Sequence, residues 1–266
     1  MAESVYISKN LTRDQARFLQ LLRENEIEYF TIHRIEQDLG VSFSNIHEIL
    51  ENLEKKGFLR RIQKGYYVDA QFNNPYVIGT FISRDGAVAY WTALNLHGLT
   101  EQIPNIIYIQ TPFRKRDTVI FGVSYKFVTI TGRKRAGIIT MGYGNHAFNI
   151  TDPEKTIVDC FDLPQYSGGM DVLIASFAKA ELNPDKLMEY AEKINNLAAI
   201  KRMGYLAEVL QKNELQPFIQ YSQSKLNERY NLLDPFGEDT GKYLKRWKIR
   251  LNLTENQIIQ MAKGLY

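Results

Sequence analysis

A chain of 266 residues is long enough for two domains, and 44% hydrophobic with 24% charged residues is the make-up of packed globular protein, which excludes a disordered one. No run approaches the roughly 20 apolar residues of a membrane helix, and the N-terminus lacks a signal-peptide pattern. The single cysteine, Cys160, excludes an internal disulfide, so the compartment expected is a reducing cytoplasm, with no membrane partner. The net charge of +3 is spread unevenly: ten Lys/Arg face eleven Asp/Glu over residues 1–75, eight face three over 76–150, and fifteen face sixteen over 151–266. Only the middle segment is electropositive, so any polyanion surface on the first segment must be local.

Thr12-Arg13-Asp14-Gln15 is a capping box opening a helix that turns Phe18, Leu19 and Leu22 inward. After a connection over 25–30, Thr31 is placed to cap a short amphipathic helix over 31–39, with Gly40-Val41 as the tight turn. A second helix is expected over 42–56, where Ile46, Ile49, Leu50 and Leu53 recur at helical spacing, and Gly57 breaks it. Two short strands, 58–62 and 66–68, are joined by Gln63-Lys64-Gly65. Residues 29–69 thus read as a winged helix-turn-helix, whose helix suits a major groove and whose ribbon suits the flanking phosphates. The expected partner is double-stranded DNA.

Within that module Ser42, Ser44, Asn45 and His47 lie near the start of the second helix, where free amides and the helix dipole favour phosphate. Asn reads adenine in bidentate fashion and Ser contacts phosphate or base, so these four are the expected groove contacts. Arg60, Arg61 and Lys64 on the ribbon would meet the DNA backbone. Glu48 and Glu51 face outward and repel phosphate, which limits insertion to the first turn or two. The same two carboxylates support the alternative, a winged helix used for protein contact without sequence-specific DNA binding.

Asn73-Asn74-Pro75 reads as a hinge, dividing a DNA-binding domain at 1–72 from a second domain at 73–266, helical from about 151. Ser83 is expected to cap a helix running to about His97, stopped by Gly98. Strands are expected at 106–110, 121–130, 137–141 and 147–150. Thr151-Asp152-Pro153-Glu154 is a second capping box, opening a helix to about Phe161 that places Cys160 on an apolar face. Further helices are expected at 170–181, 184–195, 197–213, 215–230 and 254–263, the last opened by Thr254-Glu255-Asn256-Gln257. The whole is α+β, a mixed and mainly antiparallel sheet flanked by a helical C-terminal half.

No arrangement spells an active site, so no catalytic residue, metal or cofactor is expected. Asp152, Glu154, Asp159 and Asp162 beside Lys155 faintly resemble a nuclease cluster, but helix capping accounts for the first-turn pair. Gly142-Tyr143-Gly144 lacks the Lys-Ser/Thr pair of a phosphate loop. His97 reads as a packed or C-capping residue, and His33, His47 and His146 have no partners at metal-ligand spacing. Arg114-Lys115-Arg116 and Arg133-Lys134-Arg135 form either solvated loops or a second surface for nucleic acid or a partner. Lys201-Arg202 reads as a helix surface.

Several segments resemble, in order, those of AbiEi-type proteins. Ala89-Tyr90-Trp91-Thr92-Ala93-Leu94-Asn95-Leu96-His97-Gly98-Leu99-Thr100 resembles the family's "SAL…HGL(T)" stretch. Ile109-Gln110-Thr111, the basic Arg114-Lys115-Arg116 and a strand at 127–130 follow. Asp152-Pro153-Glu154-Lys155-Thr156-Ile157-Val158-Asp159 resembles the "(E)(R/K)TIxD" helix, and Tyr166-Ser167-Gly168-Gly169 the "GG" turn after it. Lys201-Arg202-Met203-Gly204-Tyr205-Leu206-Ala207-Glu208 resembles "KRLGYLLE", and Leu233-Asp234-Pro235 with Arg246-Trp247 a late "LDP…RW" pair. The match is collinear over roughly residues 12–250; the weakly charged N-terminal module and the tail after Arg250 depart from it.

The resemblance implies a bacterial or archaeal antitoxin and transcriptional regulator of a type IV toxin–antitoxin module, acting in abortive infection and phage defence. It implies a nucleotidyltransferase-like toxin countered in function without a stable complex. It also implies inverted repeats beside the protein's own promoter, bound cooperatively by a monomer or a weak dimer.

Overall fold

The computed structural model describes residues 10–264. They divide into two compact units, one of residues 10–78 with 142–147 and the other of 79–141 with 148–264. No described helix is long and apolar enough to cross a membrane.

In the first unit, α1 (Arg13–Glu24) opens on the expected capping box, Thr12 and Gln15 each accepting the other's backbone N–H. There follow β1 (Tyr29–Thr31), α2 (Ile35–Leu39), α3 (Ile46–Lys55), β2 (Leu59–Gln63) and β3 (Tyr66–Asp69). The strands form an antiparallel sheet in the order β1-β3-β2. Phe18, Leu22, Phe30, Ile35, Leu50, Leu53 and Leu59 are the core beneath the sheet and helices. Both expected helices begin late. Thr31 belongs to a strand, paired with Tyr66, and does not cap α2. Residues 42–45 stay outside α3 because the Glu36 side chain accepts the Phe43 N–H at 2.6 Å and the Ser42 hydroxyl at 3.2 Å, holding the turn open. Gly40 ends α2 in the left-handed region at φ 63°, which glycine tolerates without a Cβ penalty. Residues 142–147 complete the unit: Asn145 donates to the Glu26 carbonyl, and the His146 ring stacks on Phe72 at 5.3 Å.

Asn73-Asn74-Pro75 is a helix start: the Asn74 side chain accepts from the N–H groups of Tyr76 and Val77, opening α4 (Pro75–Ser83). Ser83 closes that helix, donating to the Thr80 carbonyl at 2.8 Å, so no helix runs from 83 to 97. Instead β4 (Ala87–Val88) leads into α5 (Tyr90–Leu96). β5 (Ile106–Thr111) follows, and the strand expected over 121–130 is a hairpin of β6 (Thr118–Ile120) and β7 (Val123–Thr129). Its two-residue turn, Phe121-Gly122, has φ of 51° and 82°, the geometry that suits the right-handed twist of paired strands. β8 (Ile138–Met141) and β9 (Phe148–Thr151) complete a six-stranded sheet in the order β6-β7-β5-β4-β9-β8. Its neighbours are parallel at β5·β7 and β4·β9 and antiparallel at the other three pairings, so the mixed, mainly antiparallel sheet is as the sequence predicts.

The helices that follow are α6 (Pro153–Asp162), α7 (Met170–Lys179), α8 (Pro184–Ile194), α9 (Leu197–Val209) and α10 (Gln216–Ser224). The last is shorter than expected. Residues 231–251 form a small sheet of β10 (Asn231–Leu232), β11 (Lys242–Leu244) and β12 (Ile249–Leu251), ahead of α11 (Glu255–Ala262) with its Thr254–Gln257 capping box. Lys201 and Arg202 are not on a helix surface, being only 1% and 8% exposed. The Lys201 ammonium donates to Asn227 Oδ1, the Arg229 carbonyl and Asn231 Oδ1, and Arg202 Nε donates to the Leu232 carbonyl at 3.0 Å. Trp247 is buried against Gly204, where an added Cβ would lie 2.6 Å from the indole, and its Nε1 donates to Glu208 at 3.2 Å.

Charge also organises α6. Asp152 caps it, accepting the Lys155 N–H at 2.7 Å on Oδ1 and the Tyr190 hydroxyl at 2.9 Å on Oδ2. Glu154 accepts the Asn183 N–H at 3.0 Å, Lys186 reaches both carboxylates, and Lys134 pairs with Asp162. One turn in, Lys155 pairs with Asp159 in complete burial. Burial pushes the Asp159 carboxyl up to about 6 against the opposing pull of Lys155. Burial also raises the Tyr190 hydroxyl, helped by its bond to Asp152.

Removing one partner of a buried pair strands the other charge, so Lys155→Met is expected to destabilise the second unit by about 3–5 kcal/mol. The double variant Lys155→Met/Asp159→Leu recovers most of that loss. Urea unfolding followed by tryptophan fluorescence checks this, since both tryptophans, Trp91 and Trp247, lie in that unit. A double variant no better than the single would refute it. The folded Asp159 carboxyl binds its proton more tightly than an unfolded one, of pKa about 3.9. Its contribution to stability is therefore fully present below that value and is lost as pH rises through about 6. Asp159→Asn is expected to flatten the stability–pH curve in that interval, measured by the same unfolding at several pH values.

Candidate nucleic-acid interface

The exposed surface of α3 begins at its amino end. Ile49, Leu50 and Leu53 are buried on one side, which turns His47, Glu48 and Glu51 to solvent, with Ser44 and Asn45 exposed just before the first turn. Asn45 is the N-cap residue by position, yet its side chain makes no capping hydrogen bond, so its amide remains available to an outside group. Ser42 is exposed but already bonded to Glu36. Ser44, Asn45 and His47 therefore stand together, and Ser42 belongs to the turn behind them.

The ribbon separates its basic residues by strand alternation. Arg61 is exposed on β2, and Lys64 is exposed in the two-residue turn with Gly65, whose φ of 80° is left-handed. Arg60, the residue between Leu59 and Arg61, is half-buried and donates from Nη2 to the Phe72 carbonyl. It holds the chain after β3 and does not join Arg61 on the surface.

The carboxylates of α3 are unequal. Glu51 accepts from Lys55 at 2.6 Å, and that bond, with lesser pulls from the charges of Lys55 and Arg61, holds its carboxyl below the ordinary range. Arg61 thus lies within electrostatic reach of the outer face of α3. Glu48 is exposed one turn nearer the amino end and sets the limit on how far α3 can enter a groove.

In the second unit the two basic triplets converge on the turn after α4. Lys115 lies over the Phe127 ring at 5.3 Å, and its ammonium is pulled below its ordinary value by burial and by neighbouring Arg84. Arg135 reaches Asp85 at 3.4 Å, and Lys134 is committed to Asp162. Arg114, Arg116 and Arg133 remain exposed. Arg133-Lys134-Arg135 lies in a 3-10 turn over Gly132–Arg135, ahead of β8. The sequence carries no signal for these commitments, since it reads Ser83-Arg84-Asp85 as the start of a helix and the structure makes it the turn after α4.

Among the described residues no group of three or more His, Cys, Asp or Glu is placed to hold a metal ion. The carboxylates of α6 are spent on the cap, on Lys155, Lys186 and Lys134, and on Tyr190. His97 ends α5 and its Nε2 lies 2.6 Å from the Thr151 carbonyl, a packing contact between the helix end and β9.

Comparison with known proteins bears on both units. No curated protein matches the chain. The chain is similar in fold to the crystal structure of the RV2827C protein from Mycobacterium tuberculosis, with a TM-score of 0.67 over 97% of each chain at 15% identity. Residues 87–209 match the model of the AbiEi antitoxin C-terminal domain, from β4 through α9. That stretch of the second unit is thus similar to the C-terminal domain of AbiEi-type antitoxins, which supports an AbiEi-type family for it.

Proposed function

We propose that the protein is an antitoxin that also represses its own promoter as a DNA-binding regulator, within a type IV toxin–antitoxin module of abortive infection. The observation that carries the DNA half is the amino end of α3, where Ser44, Asn45 and His47 are exposed and the Asn45 amide is not used as a cap. Residues 29–69 are then a winged helix-turn-helix, with α3 as the reading helix and β2 and β3 as the wing. Asn45 would read an adenine edge, Ser44 and His47 a base or phosphate, and Arg61 and Lys64 the flanking backbone. Arg60 and Ser42 support this surface from behind. Arg114, Arg116 and Arg133 of the second unit would form a secondary surface for nucleic acid or a partner.

The antitoxin half rests on the AbiEi domain over residues 87–209. Its toxin would be a nucleotidyltransferase, countered without a stable complex. The operator would be inverted repeats occupied by more than one copy.

The deciding experiment is a gel-shift titration of the full chain on its own upstream DNA at two salt concentrations with nonspecific competitor. Asn45→Ala is expected to cost about 1–3 kcal/mol and relax specificity at one position. Arg61→Ala and Lys64→Ala should each lower the log–log salt slope by about 1, whereas Arg60→Gln should leave it unchanged. Absence of a shift at low salt would reject the repressor and favour a winged helix that contacts protein. For the antitoxin half, co-expression with the adjacent toxin gene should restore growth, and residues 79–266 should be required for it; growth arrest despite full-length antitoxin counts against that assignment.

A further inference from the structure

Past the matched domain, the small sheet of β10, β12 and β11 presents an outer face that neither half of the proposed function uses. Tyr243 of β11 stands directly across from Arg250 of β12, while Leu244 stands across from the buried Ile249 on the face below. The Arg250 guanidinium lies over the Tyr243 ring at 5.0 Å. The Lys248 ammonium lies over the Tyr230 ring at 5.7 Å, and the two rings meet edge to face at 5.0 Å. Two aromatic rings and two cations thus form one contiguous platform, with Tyr243 59% exposed.

The charge is one-sided. Residues 241–251 carry five Lys/Arg and no Asp/Glu. Lys242 and Lys245 are exposed, with no carboxylate partner among the described residues. Lys248 and Arg250 do have partners, Glu228 and Asp239, but those carboxylates are 93% and 79% exposed. Exposed pairs of that kind are weak and exchange readily for another anion. Below the platform, Lys201 and Arg202 fix the backbone of residues 227–232, so the rings are held in place before anything binds.

We propose that this face binds a single-stranded polynucleotide, its bases stacking on Tyr243 and Tyr230 and its phosphates meeting Lys245, Lys248 and Arg250. Exposed rings favour unpaired bases, which offer free π-faces, over a duplex, whose bases are already stacked inside. An acidic peptide would satisfy the cations but leave the rings without a use. RNA and DNA single strands share the chemistry, and the test separates them.

The test is fluorescence anisotropy of the full chain with labelled oligouridylate and oligothymidylate of about a dozen nucleotides, at low and moderate salt. Tyr243→Ala is expected to weaken binding roughly tenfold and Tyr243→Phe to keep it, since base–aromatic stacking needs the ring and not the hydroxyl. Lys245→Gln should flatten the salt dependence, and the position is exposed enough to leave the fold intact, which Trp247 fluorescence verifies. Asn45→Ala/Arg61→Ala, which disables the proposed operator surface, should bind the single strands as before. Tighter uridylate binding identifies RNA as the ligand, and equal binding identifies any single strand. The proposal is overturned by no binding at low salt, by binding that the Tyr243 and Lys245 variants leave unchanged, or by an unlabelled duplex competing as well as a single strand of the same length.

Discussion

Lys155 and Asp159 form an ion pair inside the apolar core of the second unit, with Lys155 bonded to one carboxylate oxygen of Asp159 and the other oxygen buried without a hydrogen-bond partner. A charge without water is tolerated only when its partner is fixed, and here α6 fixes both residues one turn apart on the same helix. The amino end of α6 is held in turn by Asp152, which ties the helix to Tyr190 and Lys186 of α8. Gly137 must be a glycine for the same reason: a Cβ there would lie 2.7 Å from the Lys155 side chain and 2.9 Å from the Tyr190 ring, at a left-handed φ of 73°. The strand leading into β8 can therefore approach the pair closely enough to cover it. Sheet, α6 and α8 meet around one buried charge pair.

The segments by which the chain resembles AbiEi-type proteins are legible in the sequence because each is half of such a contact. Trp91 lies against Gly168, so the "HGL" stretch and the "GG" turn are two sides of one packing interaction. His97 meets the Thr151 carbonyl just before α6. Gly204 receives Trp247, and Glu208 accepts from that indole and pairs with Arg246, joining the "KRMGYLAE" helix to the late "RW" pair. Such motifs reveal a fold, since packing fixes them. They say little about chemistry, because few of their polar atoms face solvent. Lys201 and Arg202 look like surface in the sequence for the same reason: helical spacing alone cannot show that residues 227–232 fold back over them.

Elsewhere the sequence is less informative for other physical reasons. β1 and β4 span three and two residues, too short for alternation to declare a strand. The β6–β7 hairpin hides because its turn, Phe121-Gly122, places a bulky residue where Asn or Asp is the usual signal. In the candidate DNA surface, the position of α3 was readable from its apolar stripe, but its start was not, because the side chain that delays it, Glu36, belongs to the preceding helix. Arg60 and Arg61 are identical in type and adjacent, and only the alternation of a formed strand separates a structural cation from an exposed one.

The turn between β8 and β9 gives the first unit an uncommon history. Asn145 and His146 supply a hydrogen bond to Glu26 and a ring for Phe72, although the 63 residues 79–141 of the other unit separate them from the rest of their own. A ribosome delivers chain from the N-terminus onward, and contiguous units can fold as they emerge. Here the first unit cannot be complete until residue 147 has left the tunnel, after the β5, β6 and β7 strands have been made. Synthesis of the chain thus delays a finished N-terminal surface until more than half of the protein exists.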